Sequence, residues 1–272
     1  MKTTDQTAYL VYDTESVVDG ALLSKVVYPG EGLSAEAAVE RQRADVLGAS
    51  GGSSDFIAVS FHVPVAVCVA RVGADLRLLD LVALDAPRHE PRAMVDLFWR
   101  GVQAYQPATL VDFNGRGFDI PLLTLAAFRF GIACPAYFRD PDRFGFRYRF
   151  TPKHIDLLEW LTEYGGFRLR GGLDLCAKLL GKPGKGDVAG GGVADMYARG
   201  EIAAINDYCL SDVLDTYFVF LRTRVLTGEI TLEREQEIVA QTREWLAVRA
   251  QSQPSLATYL EQFGTWNPRP FE

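Results

Sequence analysis

The sequence predicts a mixed α/β fold, one sheet with helices packed on it, from three observations. Residues 7–12 (TAYLVY) form a short, nearly continuous apolar run, the pattern of a strand buried on both faces. Residues 56–71 and 76–84 are two further strand-like runs separated by the turn signal Gly73-Ala74-Asp75, which predicts a hairpin beside the first strand. From Arg92 onward the pattern switches to alternating helical and extended segments. Strands first, then alternation, is the order expected of a mixed sheet flanked by helices.

Taken in order, the first strand ends in Asp13-Thr14-Glu15-Ser16. Residues 29–55 change composition: EGLSAEAAVERQRADVLG suits one polar helix, and a Gly/Ser stretch at 50–54 follows, so the segment is expected to be an insertion with a mobile end. Met94, Leu97, Phe98 and Val102 recur at helical spacing up to Tyr105, and Pro107 stops that helix. Residues 110–113 read as a strand and Asn114-Gly115-Arg116-Gly117 as a turn. A helix over 119–130 follows, with Asp119 at its N-cap and Pro121 in its first turn. An extended segment is expected at 154–157, a short helix at 173–180 and a Gly-rich loop at 181–192. Long helices are expected at 201–226 and 231–249.

The chain has 272 residues, enough for one large domain or two small ones. Its 48% hydrophobic and 23% charged residues, with a mean hydropathy of +0.02, are those of a globular chain with ample core. The longest apolar stretch, residues 63–70, is far short of a membrane span and is closed by Arg71. The opening MKTTDQTAYL lacks the apolar core of a signal peptide, so a cytoplasmic location is expected. Cys68, Cys134, Cys176 and Cys209 form no C-x-x-C pair, which argues against a zinc site or a disulfide framework. A net charge of −7 speaks against non-specific coating of nucleic acid, but leaves room for local phosphate binding. Residues 129–187 carry eleven Lys/Arg against seven Asp/Glu, with Phe144, Phe146, Tyr148 and Phe150 interleaved. That pattern suits base stacking, and equally an amphipathic hairpin with its rings turned inward.

Asp13 and Glu15 are two apart at the end of a strand, so both carboxylates point to one face. On their own they are also compatible with two solvated acids in a turn. Ile205, Cys209, Asp212, Thr216 and Val219 fall on one helical stripe, where Asp212 takes the place of a hydrophobe. Either it is buried with a partner or the stripe tilts it toward a solvated edge. Tyr208, one turn earlier, shares nearly the same face. Asp119 reads as a helix cap or as a further acid of a site. His154 and Asp156, spaced i, i+2, read as a structural histidine or as a second acid–base or metal pair, while His62 and His89 have no partner at useful spacing.

In order, Asp13-Thr14-Glu15, the NGRGFDIP segment at 114–121 and Tyr208-x-x-x-Asp212 resemble the three motifs of the DEDD 3′–5′ exonucleases, tyrosine subclass. The group most similar is the predicted exonucleases related to the proofreading domain of family B DNA polymerases. The stretches 180–185 (LGKPGK) and 205–213 (INDYCLSDV) belong to that resemblance, which runs from about residue 9 to 226. It implies a ribonuclease-H-like mixed β-sheet flanked by helices. It also implies an exonuclease domain over 1–228, with the insertion at 29–55 and a C-terminal helical extension over 229–272 packed on the same domain.

The activity implied is metal-dependent hydrolysis of single-stranded or frayed DNA from the 3′ end, with two Mg²⁺ or Mn²⁺ ions. Asp13 would bridge both ions, Glu15 and Asp212 would complete the nucleophile side, and Asp119 would serve the leaving-group side. Tyr208 would orient the attacking water. Hard oxygen donors suit these ions. Substrate would be met by Thr14, Asn114 and Phe118 from the motifs, and by Lys182 and Lys185 from the Gly-rich loop. That loop is no Walker A motif, since Asp187 follows Gly186. Two rival readings are a nucleic-acid-binding module of the same fold with weak or no catalysis, and an aspartyl-phosphate phosphohydrolase. The latter leaves the Tyr208–Asp212 pair without a role.

Overall fold

The computed structural model describes residues 6–139, 145–184 and 192–268. Five strands build one sheet: β1 (Thr7–Val18), β2 (His62–Gly73), β3 (Leu78–Ala83), β4 (Thr109–Asp112) and β5 (His154–Asp156). Their order across the sheet is β3-β2-β1-β4-β5. β1 runs antiparallel to β2 and parallel to β4, and β5 is parallel to β4. The β2–β3 hairpin expected from the turn at 73–75 is present. The helices are α1 (Gly20–Val27), α2 (Ala35–Ala49), α3 (Pro91–Ala104), α4 (Asp119–Phe130), α5 (Pro135–Phe138), α6 (Leu157–Leu161), α7 (Gly172–Leu179), α8 (Gly192–Ala198), α9 (Ile202–Leu226), α10 (Leu232–Arg249) and α11 (Pro254–Glu261). This is the mixed α/β architecture that the order of elements predicted, and it is the ribonuclease-H-like arrangement that the resemblance implied.

The central strand sorts its side chains onto two cores. Leu10 and Tyr12 pack with Met94, Phe98 and Trp99 of α3 and with Leu123 of α4. Val11 packs on the other face with Cys209, Val213 and Phe220 of α9. Because successive side chains on a strand alternate, Asp13 and Glu15 follow Val11 toward α9, and Thr14 follows Tyr12 toward α4. The strand periodicity therefore aims three consecutive residues at two different helices. On α9 the stripe of Ile205, Cys209, Asp212, Thr216 and Val219 is buried throughout, so Asp212 lies inside and not at a solvated edge. Ile238 and Leu246 of α10, with Leu256 and Tyr259 of α11, join the α9 core, so the C-terminal extension packs on the same body.

Two local expectations are corrected, the cap role of Asp119 and the hairpin near residues 145–153. The segment after β1 folds into α1, capped by Asp19, and α2, and encloses a small core of its own made of Leu23, Tyr28, Ala38 and Ile57. In its Gly/Ser stretch the Ser50 hydroxyl donates to the Ser54 carbonyl at 2.8 Å and accepts from Ser54 N–H at 3.1 Å. Asp119 is the first residue of α4, and Phe118 holds the cap position without a side-chain hydrogen bond, so the carboxylate is released from capping. Residues 145–153 contain turns and no strand, which removes the hairpin reading there. Phe146 is buried, stacked on Tyr137 at 5.8 Å, whereas Tyr148 and Phe150 are exposed. Arg149 between them is paired to Glu159 at 2.8 Å. Phe144 lies outside the described residues. Among the described residues no helix is long and apolar enough to cross a membrane.

Candidate active site

Asp13 and Glu15 from the end of β1 and Asp212 from α9 offer carboxylate oxygens that all lie within 4.8 Å of one another. Cys209, one turn before Asp212 on the side of α9 that meets β1, donates its thiol to the Asp13 carbonyl at 3.3 Å and fixes the approach of helix to strand. Asp119 joins from the other face of β1: Thr14 Oγ1 donates to its Oδ1 at 2.6 Å. Burial, with the negative charges of Asp119, Asp212 and Glu15 close by, raises the Asp13 carboxyl well above the usual carboxylate range. Asp119 is pushed up to about 7 by burial and by the charge of Asp112, against the lowering effect of the Thr14 hydrogen bond. Crowding of this kind is relieved by a bound cation, and the donor set of hard carboxylate oxygens matches Mg²⁺ or Mn²⁺ in chemistry. Asp13, Glu15, Asp119 and Asp212 are the residues that would hold such ions.

The Tyr208 hydroxyl is directed at the Asp212 carboxylate. Burial raises its pKa far above that of free tyrosine, and the charges of Asp212, Glu15 and Asp13 add to the effect, so the phenol is protonated at neutral pH. A cavity of about 430 Å³ opens beside Tyr208 and Asp212. Its far wall is α11, through Ser255, Thr258 and Gln262.

The loop between β4 and α4 is built on a buried carboxylate that the sequence reading passed over. Asp112 is fully buried; its Oδ2 is met by the Tyr12 hydroxyl and by His154 Nε2, each at 2.5 Å, and its Oδ1 accepts Gly115 N–H at 2.9 Å. His154 is thus a structural histidine, partnered by Asp112 and not by Asp156. Asp156 accepts Asn114 N–H at 2.9 Å and Arg116 N–H at 3.1 Å, and caps α6. The signal for Asp112 was available: a carboxylate ending the apolar run LVD, as Asp212 interrupts its stripe. Asn114 takes a left-handed conformation (φ +69), the turn geometry for which Asn is favoured, and Phe118 lies immediately before Asp119.

Lys182 does not fit the substrate-binding role expected of it. It is buried, its ammonium donates to the Leu180 carbonyl at 3.2 Å and sits 4.0 Å from the centroid of Phe263 and 5.0 Å from that of Phe218. The Gly181 turn packs on Thr265 and Trp266, which brings the C-terminal segment down over the lysine. Lys185 lies outside the described residues.

The model of a family described as predicted 3′–5′ exonucleases related to the exonuclease domain of PolB matches residues 54–263. The chain belongs to this family. The matched residues include Asp119, Tyr208, Asp212 and both C-terminal helices, while Asp13 and Glu15 precede them. No curated protein matches the chain. Family membership makes the protein a nuclease-type hydrolase acting on nucleic acid, and the acidic cluster is compatible with the divalent metals such exonucleases typically use.

Proposed function

We propose that the protein is a metal-dependent 3′–5′ exonuclease that removes nucleotides from single-stranded or frayed DNA ends, with Asp13, Glu15, Asp119 and Asp212 as metal ligands. The observation that carries this reading is the convergence of Asp13, Glu15 and Asp212 within 4.8 Å, with Asp119 tethered through Thr14 beside them. Two divalent ions held there would supply Lewis-acid neutralisation of the charge that builds on the attacking and leaving oxygens. The chain's own part is orientation. Tyr208, protonated at neutral pH and aimed at Asp212, positions the attacking water by hydrogen bonding and does not serve as its base.

The test is digestion of a 3′-labelled and a 5′-labelled oligonucleotide with Mg²⁺ or Mn²⁺, comparing DNA with RNA and single with double strands. Stepwise shortening from the 3′ end that stops in excess EDTA is expected. Binding without hydrolysis in either ion would leave a nucleic-acid-binding module. Tyr208→Phe keeps the ring and removes the hydroxyl. It is expected to lower the single-turnover rate about 10²-fold or more while changing affinity in Ca²⁺ little. Equal rates for variant and parent would remove Tyr208 from the mechanism.

A further inference from the structure

The chain immediately beyond the acids leads into a second feature. After Glu15 the β1 register shifts, and Ser16 accepts a place opposite the start of β2, its hydroxyl 2.9 Å from His62 Nδ1. His62 Nε2 lies 3.0 Å from the Ile57 carbonyl, which can only accept, so Nε2 carries the proton and Nδ1 receives the serine hydroxyl. The imidazole is therefore locked at both nitrogens. Around it stand Phe56, with ring centroid 5.4 Å away, and Phe118 at 6.0 Å, while Phe56 and Phe118 are themselves 6.0 Å apart. Phe118 is the residue before Asp119, so this ring group adjoins the acidic site.

These rings are not core. Phe56 is 54% exposed, and Tyr197 of α8 is 44% exposed. Both line a groove of about 480 Å³, together with Ser16, Arg43 of α2, Asp55 and Asp195. Two exposed aromatics lining one groove leave apolar faces in water, and a flat π-system is the occupant that covers them. Arg43 provides one cation for a backbone phosphate. Asp55 and Asp195 repel phosphate from their wall and accept N–H groups of a base, so the groove suits bases more than a sugar–phosphate chain.

We infer that this groove, built by the helical insertion together with α8, is a base-stacking subsite for the single strand leading to the scissile phosphate. The strand's unpaired bases lie against Phe56 and Tyr197, with Arg43 on the backbone. Only an unpaired strand can present its base faces to such rings. This assignment rests on the exonuclease reading above and gives the insertion its role.

The test uses the intact chain in Ca²⁺ and single-stranded oligonucleotides carrying 2-aminopurine second, third or fourth from the 3′ end. Stacking on the rings quenches the 2-aminopurine emission at one or more of these positions. Phe56→Ala is expected to weaken binding about fivefold or more and to relieve the quench, and Phe56→Tyr to restore both. Tyr197→Ala provides an independent second variant, from α8. In Mn²⁺ the loss should fall on KM more than on kcat. Unchanged affinity and quench in both alanine variants, with the parent active, overturns the subsite alone. Quenching that depends on Phe56 in a parent that hydrolyses nothing supports the subsite and overturns the exonuclease reading. A parent that binds no strand at all overturns both.

Discussion

Gly115→Ala is the substitution for which the structure gives the clearest magnitude. A Cβ built on Gly115 falls 2.2 Å from Asp112 Cγ, 2.3 Å from its Oδ2 and 2.6 Å from its Oδ1, well inside contact distance. Asp112 has nowhere to go. It is fully buried, and any rotation surrenders hydrogen bonds from the Tyr12 hydroxyl, His154 and the Gly115 N–H together. Leaving a buried polar group unsatisfied costs about 1–3 kcal/mol, and three donors to Asp112 are at stake here. A destabilisation of about 3–5 kcal/mol is therefore expected, a large part of the 5–15 kcal/mol typical of folded domains. Gly117→Ala is the internal control. Its Cβ would lie 2.7 Å from the side-chain oxygen of Asn114, which is exposed and can swing aside, so a cost under about 1 kcal/mol is expected. Urea unfolding of the parent and both variants measures the difference directly. A Gly115→Ala variant within 1 kcal/mol of the parent would refute the claim that the loop is clamped on Asp112. Because the same loop delivers Asp119, Gly115→Ala should also lower metal-dependent hydrolysis, and Gly117→Ala should not do so to the same degree.

Lys182 is lowered to about 8, chiefly by burial. With an unfolded value near 10.4, the folded state binds fewer protons between pH 8 and 10.4, so the parent gains stability as pH rises through that window. Lys182→Met should lack that gain and be at least as stable at pH 7, as read from urea midpoints of the pair at pH 7.5, 9 and 10.5. Asp215 is pushed up to about 7 by burial, although Tyr259 donates to it at 2.7 Å. Its folded pKa exceeds the unfolded one, so the parent loses stability as pH rises from about 4 to 7. Asp215→Asn should remove that loss and be about 1–2 kcal/mol more stable at pH 8 but not at pH 4, by denaturation at both pH values. Mg²⁺ or Mn²⁺ at a hundredfold excess over Kd should stabilise the parent by about 2.7 kcal/mol. Asp13→Asn should raise the metal-free melting temperature and blunt this response, and an unaltered metal response in Asp13→Asn would contradict its place as a ligand.

Much of the site was legible because it rests on local periodicity. The two-residue spacing of Asp13 and Glu15 and the helical stripe through Asp212 each fix a direction, and the fold needed only to bring β1 and α9 together. What escaped depends on partners far along the chain. Asp112 is paired with residues 100 positions before it and 42 after it. Lys182 reads as a loop cation until Phe263, folded back from the C-terminus, covers it. The cavity wall at Ser255, Thr258 and Gln262 comes from α11, whose sequence carries no motif and whose position is set by Leu256 and Tyr259 entering the α9 core. His62 found its partner across the β1–β2 pairing, a register that spacing along the chain does not reveal.

The carboxylates around the end of β1 divide by how their oxygens are used. Asp112 spends both oxygens on the Tyr12 hydroxyl, His154 and Gly115 N–H, and Asp156 accepts backbone N–H groups from Asn114, Arg116, Leu158 and Glu159. These two are saturated by donors, and their effect is to hold the 114–118 loop in place. Asp13, Glu15 and Asp212 instead face one another, and their mutual repulsion is a cost that folding alone does not recover. Asp119 stands between the two groups. Thr14 holds one of its oxygens, while burial and the charge of Asp112 work against its ionisation, and its own charge in turn raises Asp13. Thr14 is therefore as much a part of the Asp-Thr-Glu motif as its acids. Strand alternation sends the two acids to α9 and the threonine to α4, and that division lets three consecutive residues draw both helices onto one point.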